Sequence, residues 1–105
     1  MAQFDVFHNP DRASAARIPF LVTLQSDLLD PIENHIVAPL RIAEDDSVIP
    51  VLRLNPLVFI DGQRFHLRVQ DLAAVPRRLL KAPVANLSNQ REEILAAIDF
   101  LFTGF

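Results

Sequence analysis

A chain of 105 residues is the size of one domain, so a single hydrophobic core is expected. Half of the residues are apolar and 22% are charged, a composition that excludes a chain held disordered by its charge. The formal net charge of −3 provides no long-range attraction to phosphate backbones or anionic lipid, so neither nucleic acid nor a membrane is an expected partner.

Gln3 to Phe7 alternates polar and apolar residues, which puts Phe4 and Val6 on one face of a short first strand. The surrounding stretch, MAQFDVFHNPDR, has neither the basic nor the apolar region of a signal peptide. No run of about 18 apolar residues follows anywhere, so a soluble, cytoplasmic chain is expected. His8 to Ala16, with Asn9-Pro10-Asp11, reads as a loop, and Ile18 to Leu24 as the second strand.

Gln25 to Pro31 is then a polar turn containing Leu28 and Leu29. Two neighbouring aliphatic residues cannot both point inward from an extended strand. The pair is either an exposed apolar prong or a bent segment that tucks both side chains into the core. Ile36 to Ile42 and Val48 to Leu54 are two more strands, separated by the acidic Glu44-Asp45-Asp46-Ser47. Pro39 and Pro50 favour edges or bulges there, because proline cannot donate to a ladder.

Asp61-Gly62 separates Leu57–Ile60 from Gln63–Val69, and predicts a hairpin closed by a primed turn with positive φ at both central residues. In its second arm Phe65, Leu67 and Val69 alternate with Arg64, His66 and Arg68, so His66 should face solvent. Pro76 and Pro83 break the next stretch into turns with a short strand near Val84. A helix follows from about Asn89 to Thr103, with Asn89 and Glu92 as a cap pair, Glu92 and Glu93 at its positive end, and Gly104 at its stop. Its apolar stripe is Ile94, Leu95, Ile98, Leu101 and Phe102, and this side should face the sheet. Glu92, Ala96, Asp99 and Thr103 form the outer side, while Phe100 lies off the stripe and needs a second cover.

Local patterns that carry chemistry are lacking. With no cysteine there is no disulfide, thiolate metal site or thiol nucleophile. His8, His35 and His66 have no metal-ligand spacing. Asp27, Asp30, Asp61, Asp71 and Asp99 share no pattern that would hold two carboxylates at a working separation. Asp27 and Asp30 instead bracket Leu28-Leu29, where side-chain to backbone hydrogen bonds would shape the loop. Ser14, Ser26, Ser47 and Ser88 lack a nucleophile-elbow setting, and two glycines build no phosphate cradle. Arg77-Arg78-Lys81 and Arg64-Arg68 read as solvated surface. The residues point to a binding protein that needs no cofactor.

Four pieces of the chain, in order, resemble the CcdB toxin family: QFDVF, then FLVTLQSDLLD with IVAPL after it, then the hairpin followed by QDLAAVP, and finally LSNQREEILAAIDFLFTGF. The resemblance covers nearly the whole chain. It implies a single domain over residues 1–105, mainly β with one C-terminal α-helix, built as an SH3-like β-barrel with a small wing sheet. It further implies a two-fold homodimer that binds the A subunit of DNA gyrase, traps the cleaved complex, and is neutralised by a CcdA-like antitoxin. By the same resemblance the gyrase-binding positions are Leu28, Leu29, Asp99, Phe102, Thr103, Gly104 and Phe105. Antitoxin-binding positions are His8, Asn9, Asp11 and Arg12 in the first loop, with Ile42, Glu44 and Asp45.

Leu28, Leu29 and Phe105 stand where the family has isoleucines, and two departures are larger, for Asp99 stands in place of an asparagine and Thr103 in place of a tryptophan. An indole buries roughly 150–250 Å², and an aromatic anchor at an interface centre is often worth about 2–4 kcal/mol. A second reading is therefore a CcdB-fold homologue whose target is lost or altered, with dimerisation and antitoxin binding retained. A third is an RNA-cleaving enzyme, because the MazF-type endoribonucleases are similar in fold.

Overall fold

The computed structural model describes residues 1–43 and 53–104. Seven strands are described: β1 (Asp5–His8), β2 (Phe20–Thr23), β3 (Asn34–Ile42), β4 (Leu57–Ile60), β5 (Gln63–Leu67), β6 (Ala73–Pro76) and β7 (Ala85–Asn86). One helix, α1 (Arg91–Thr103), follows. The strands form one antiparallel sheet in the order β4-β5-β3-β2-β1-β7, with β6 also pairing β3. The result is a nearly closed, barrel-like sheet with a C-terminal helix, the fold that the sequence resemblance implies.

β3 organises this sheet. One side pairs with β2 through Leu40, Pro39, Ala38 and Val37. The other side has two partners in succession, β6 at Asn34–Val37 and β5 at Leu40–Ile42. Pro39 thus sits in a central strand and not at an edge. Its carbonyl accepts from the Arg68 amide at 3.0 Å, so its nitrogen faces the same side, where β6 gives way to β5. No ladder donor is needed at that break, which is why proline fits.

The main core combines Val6, Val22, Leu40, Phe65 and Leu67 of the strands with Ile94 and Ala97 of α1. A second cluster of Phe7, Leu21, Val37 and Leu80 holds the opposite face of β1, β2 and β3. Covered on both faces, β2 reads as a near-continuous apolar run, FLVT. β1 starts at Asp5 and not at Gln3, because Phe4 takes a left-handed φ of 68°. Such a conformation costs roughly 1–3 kcal/mol for a residue with a side chain. Burial of the ring offsets it, as do backbone bonds from Phe4 to Thr23 (2.8 Å) and from Leu87 to Phe4 (3.0 Å).

The hairpin forms as expected, with φ of 50° at Asp61 and 80° at Gly62, and Ile60 opposite Gln63. Phe65 and Leu67 are buried, and Val69 also, although β5 ends before it. The strand expected at Val48–Leu54 lies mostly outside the described residues, and its described end, Arg53-Leu54, is in a turn. The stretch expected to form turns after the hairpin holds β6, whose AAVP sequence has no alternation and becomes a strand by pairing with β3.

α1 begins at Arg91, after a short 3-10 turn at Ser88–Gln90. The cap pair of Asn89 and Glu92 does not form, and Gln90 occupies the cap position without a side-chain cap bond. Gln90 instead donates to the Leu57 carbonyl at 3.0 Å, which ties the helix start to β4. Gly104, with φ of 79°, ends the helix and donates to the Phe100 carbonyl at 3.0 Å. Phe100 receives its second cover from the Arg53 guanidinium, 4.6 Å from the ring centre. The stripe is corrected at two positions: Ala97, which it left out, is buried with Ile94, while Phe102 is 69% exposed. Among the described residues, no helix is long and apolar enough to cross a membrane.

Candidate functional site

Leu28 and Leu29 lie in a single 3-10 turn, Asp27–Leu29, that contains no buried residue. Ser26 starts it by accepting the Leu28 amide on Oγ at 3.2 Å, and the Leu29 and Asp30 amides donate back to the Ser26 and Asp27 carbonyls. Leu28 is 89% exposed and Leu29 46%. The pair therefore projects from the surface, and the alternative of both side chains packed into the core is not what forms.

The bracketing aspartates hold the turn to the rest of the chain. Asp27 accepts the Gln3 amide. Asp30 lies between the Met1 α-ammonium at 2.8 Å and the Arg77 guanidinium at 3.3 Å. The hydrogen bond from the α-ammonium, with help from its charge and that of Arg77, holds the Asp30 carboxyl below its ordinary range against the opposing effect of desolvation. A polar recess of about 280 Å³ shares Asp27 with the prong and is otherwise lined by Gln3, Asn86, Ser88 and Arg91, among others.

Beside the prong runs an apolar groove of about 370 Å³ between α1 and the sheet. Ile98 and Phe102 form one wall, and Leu24, Gln25, Ile36 and Leu72 the other. Gln25 connects the groove to the prong, because its Nε2 donates to the Leu29 carbonyl at 3.3 Å. The structure thus brings Phe102 and the Leu28-Leu29 turn together around one shared residue. Asp99 and Thr103 do not line the groove. Both are exposed on the outer side of α1, and the Thr103 hydroxyl donates to the Asp99 carbonyl at 2.6 Å. Gly104 is exposed, and Phe105 lies outside the described residues.

The second set of predicted positions gathers at the other end of β1. His8 is exposed and its ring lies 5.3 Å from that of Phe20. The Ile42 amide donates to the Arg17 carbonyl at 3.3 Å, which brings the end of β3 to the end of the first loop. Asn9 and Asp11 direct their side chains into the loop itself: Asn9 bonds Ser14, Ile18 and the Asp11 amide, and Asp11 bonds Ser14 and Ala13. His8, Asp11 and Arg12 are the exposed residues of this set, with Asn9 and Ile42 half-buried. Glu44 and Asp45 lie outside the described residues.

The three histidines remain apart, with His8 exposed, His35 buried in β3 and His66 half-buried on β5. Among the described residues, no three His, Asp or Glu side chains converge in a way that could hold a metal ion. Gln25, Ile36 and Leu72 are groove residues that the sequence did not single out. For Ile36 a signal existed: it is an apolar residue on the outward side of the alternating run Asn34 to Val37. Gln25 and Leu72 had none, because their neighbours come from distant parts of the chain.

Architecture and sequence agree with one known group. A family model described as CcdB protein matches residues 3–104 of the 105, and the chain belongs to the CcdB family.

Proposed function

We propose that this chain is the toxin of a toxin–antitoxin module. As a homodimer it binds the A subunit of DNA gyrase, traps the cleaved complex, and is neutralised by a CcdA-like antitoxin, acting in the cytoplasm without catalysing a reaction. One observation carries the reading: Leu28 and Phe102 are the two most exposed large apolar side chains among the described residues of a small acidic protein, and Phe102 lines an apolar groove whose Gln25 is hydrogen-bonded to the Leu29 carbonyl. Clustered apolar exposure of this kind marks an interaction surface. Full burial of each side chain in a partner contributes about 1.5–3 kcal/mol. The first loop and the end of β3 form the surface assigned to the antitoxin, with His8, Arg12 and Ile42 as its contacts and Asn9 and Asp11 as the residues that shape the loop.

Incubation of the purified protein with gyrase and supercoiled plasmid tests this. Linear DNA is expected after denaturation of the complex, and its absence at high protein excess overturns the assignment.

A second reading, an altered target with dimerisation and antitoxin binding retained, is favoured by the outer side of α1. There the Thr103 hydroxyl turns back to Asp99, and the outer positions Glu92, Ala96, Asp99 and Thr103 carry no aromatic ring. Under this reading the unmodified chain yields no cleavage, and the double change Asp99→Asn, Thr103→Trp creates it.

A further inference from the structure

The Asp27–Leu29 turn buries nothing of its own, so the direction in which Leu28 and Leu29 project is set from its two flanks. On the leading flank the β2–β3 ladder ends in an unusual exchange. The Leu24 amide donates to the Ile36 carbonyl at 2.9 Å, yet the return bond from the Ile36 amide goes to Oε1 of Gln25, also at 2.9 Å. The Leu24 carbonyl that this leaves over accepts Nε2 of Gln3 at 3.0 Å. The Nε2 of Gln25 then reaches the Leu29 carbonyl. One side-chain amide therefore spans from the central strand to the last residue of the prong.

On the trailing flank His35, the residue before Ile36, places Nε2 3.1 Å from the carbonyl of Asp30. A carbonyl only accepts, so this contact assigns the His35 proton to Nε2. The ring is 2% exposed, and its Nδ1 has no protein partner among the described residues. An apolar residue of similar size would fill that position without leaving a buried nitrogen unpaired, so packing alone does not account for a histidine here. The remaining ties are Asp27 to the Gln3 amide, Asp30 to Arg77 and to the Met1 α-ammonium, and the Ile32 amide to the Leu29 carbonyl, and they lie in partly or fully exposed positions where water competes for them.

We infer that Gln25 and His35 are positioning residues, which fix both flanks of the Leu28-Leu29 prong to consecutive residues of β3 so that a target meets it already ordered. The inference rests on the reading of the prong as a target contact. Preorganisation of a short binding segment removes an ordering penalty from association. Releasing one clamp is expected to weaken binding about 10- to 100-fold.

The full chain and the purified gyrase protein that the toxin engages provide the test. Gln25→Glu keeps an acceptor for Ile36 and removes the donor to Leu29, while His35→Leu removes the donor to Asp30 and His35→Gln restores one. Amide exchange at Leu29 and Asp30 should accelerate about tenfold or more in Gln25→Glu and His35→Leu, and return toward the original rate in His35→Gln. Affinity for gyrase should follow the same order. In a Leu28→Ala, Leu29→Ala background Gln25→Glu should change affinity by less than about twofold, since there is no longer a prong to position. Unchanged exchange in Gln25→Glu, a variant at a half-buried position, overturns the clamp even if His35→Leu fails to fold. Faster exchange with unchanged affinity overturns its use in binding. If the double alanine change itself leaves affinity unaltered, it is the underlying assignment of the prong that fails.

Discussion

Thr23 is a hydroxyl in a place built for a methyl group. It lies 1% exposed on β2 opposite Val37, and its Oγ1 has no protein partner among the described residues. A buried unpaired hydroxyl carries its desolvation penalty with no compensating bond. Thr23→Val, nearly the same shape, is expected to raise stability by about 1 kcal/mol, seen as a higher urea midpoint at unchanged slope. Asp30 behaves in the opposite sense. Its carboxyl is held below the ordinary value of 3.8 by the α-ammonium hydrogen bond first, then by nearby positive charge. A lowered carboxylate value contributes stability above the unfolded-state value, and the contribution is lost as the pH falls through the folded-state value. Asp30→Asn should therefore be less stable than the original chain at pH 7, and urea titrations of the two should converge as the pH drops below 3.8.

At the level of elements, the hairpin depends on backbone conformation more than on contacts. Gly62 holds a φ of 80°, and a methyl group added there meets no atom within 4 Å. Gly62→Ala therefore carries only the backbone strain of the left-handed region, and a loss of roughly 1–2 kcal/mol is expected in thermal or urea unfolding. The start of α1 illustrates a different control. Asn89 and Glu92 have the spacing of a cap pair, but a preceding 3-10 turn shifts the first helical residue to Arg91 and leaves Gln90 at the cap. That turn is set by Asn86 of β7, whose Oδ1 accepts the Ser88 amide at 2.8 Å. A second local signal, a side-chain to backbone bond two residues long, stands where the cap pair was expected.

Across the whole molecule, the residues that hold the fold and those proposed to meet a partner are separate sets. Ile94 and Ala97 close the core, whereas Leu28 and Phe102 stand mostly in water. Leu28→Ala and Phe102→Ala are accordingly expected to change unfolding stability by no more than about 0.5 kcal/mol, as surface substitutions do. The same variants should lower the yield of gyrase-cleaved plasmid, so stability and activity measured side by side distinguish a recognition surface from a structural one.

Features whose cause lies within a few residues were legible in the sequence: the Asp61-Gly62 hairpin, the inward alternation of Phe65, Leu67 and Val69, and the outer position of Asp99 and Thr103 on the helix. The four ordered pieces that resemble CcdB also carried the family and the general fold. Other features required chain segments far apart to meet. Pro39 lies in a central strand because β6 and β5 divide β3 between them, a division invisible in the residues around it. Phe102 has the helical phase of a core residue yet stands over a groove formed with Leu24, Ile36 and Leu72. For Leu28 and Leu29 the sequence left two directions open, since a polar turn can point its aliphatic residues either way. In the folded chain both project outward, on a turn that Gln25 joins to the Ile36 amide of β3 and that His35 of β3 meets at the Asp30 carbonyl, and such bonds exist only once the sheet has formed.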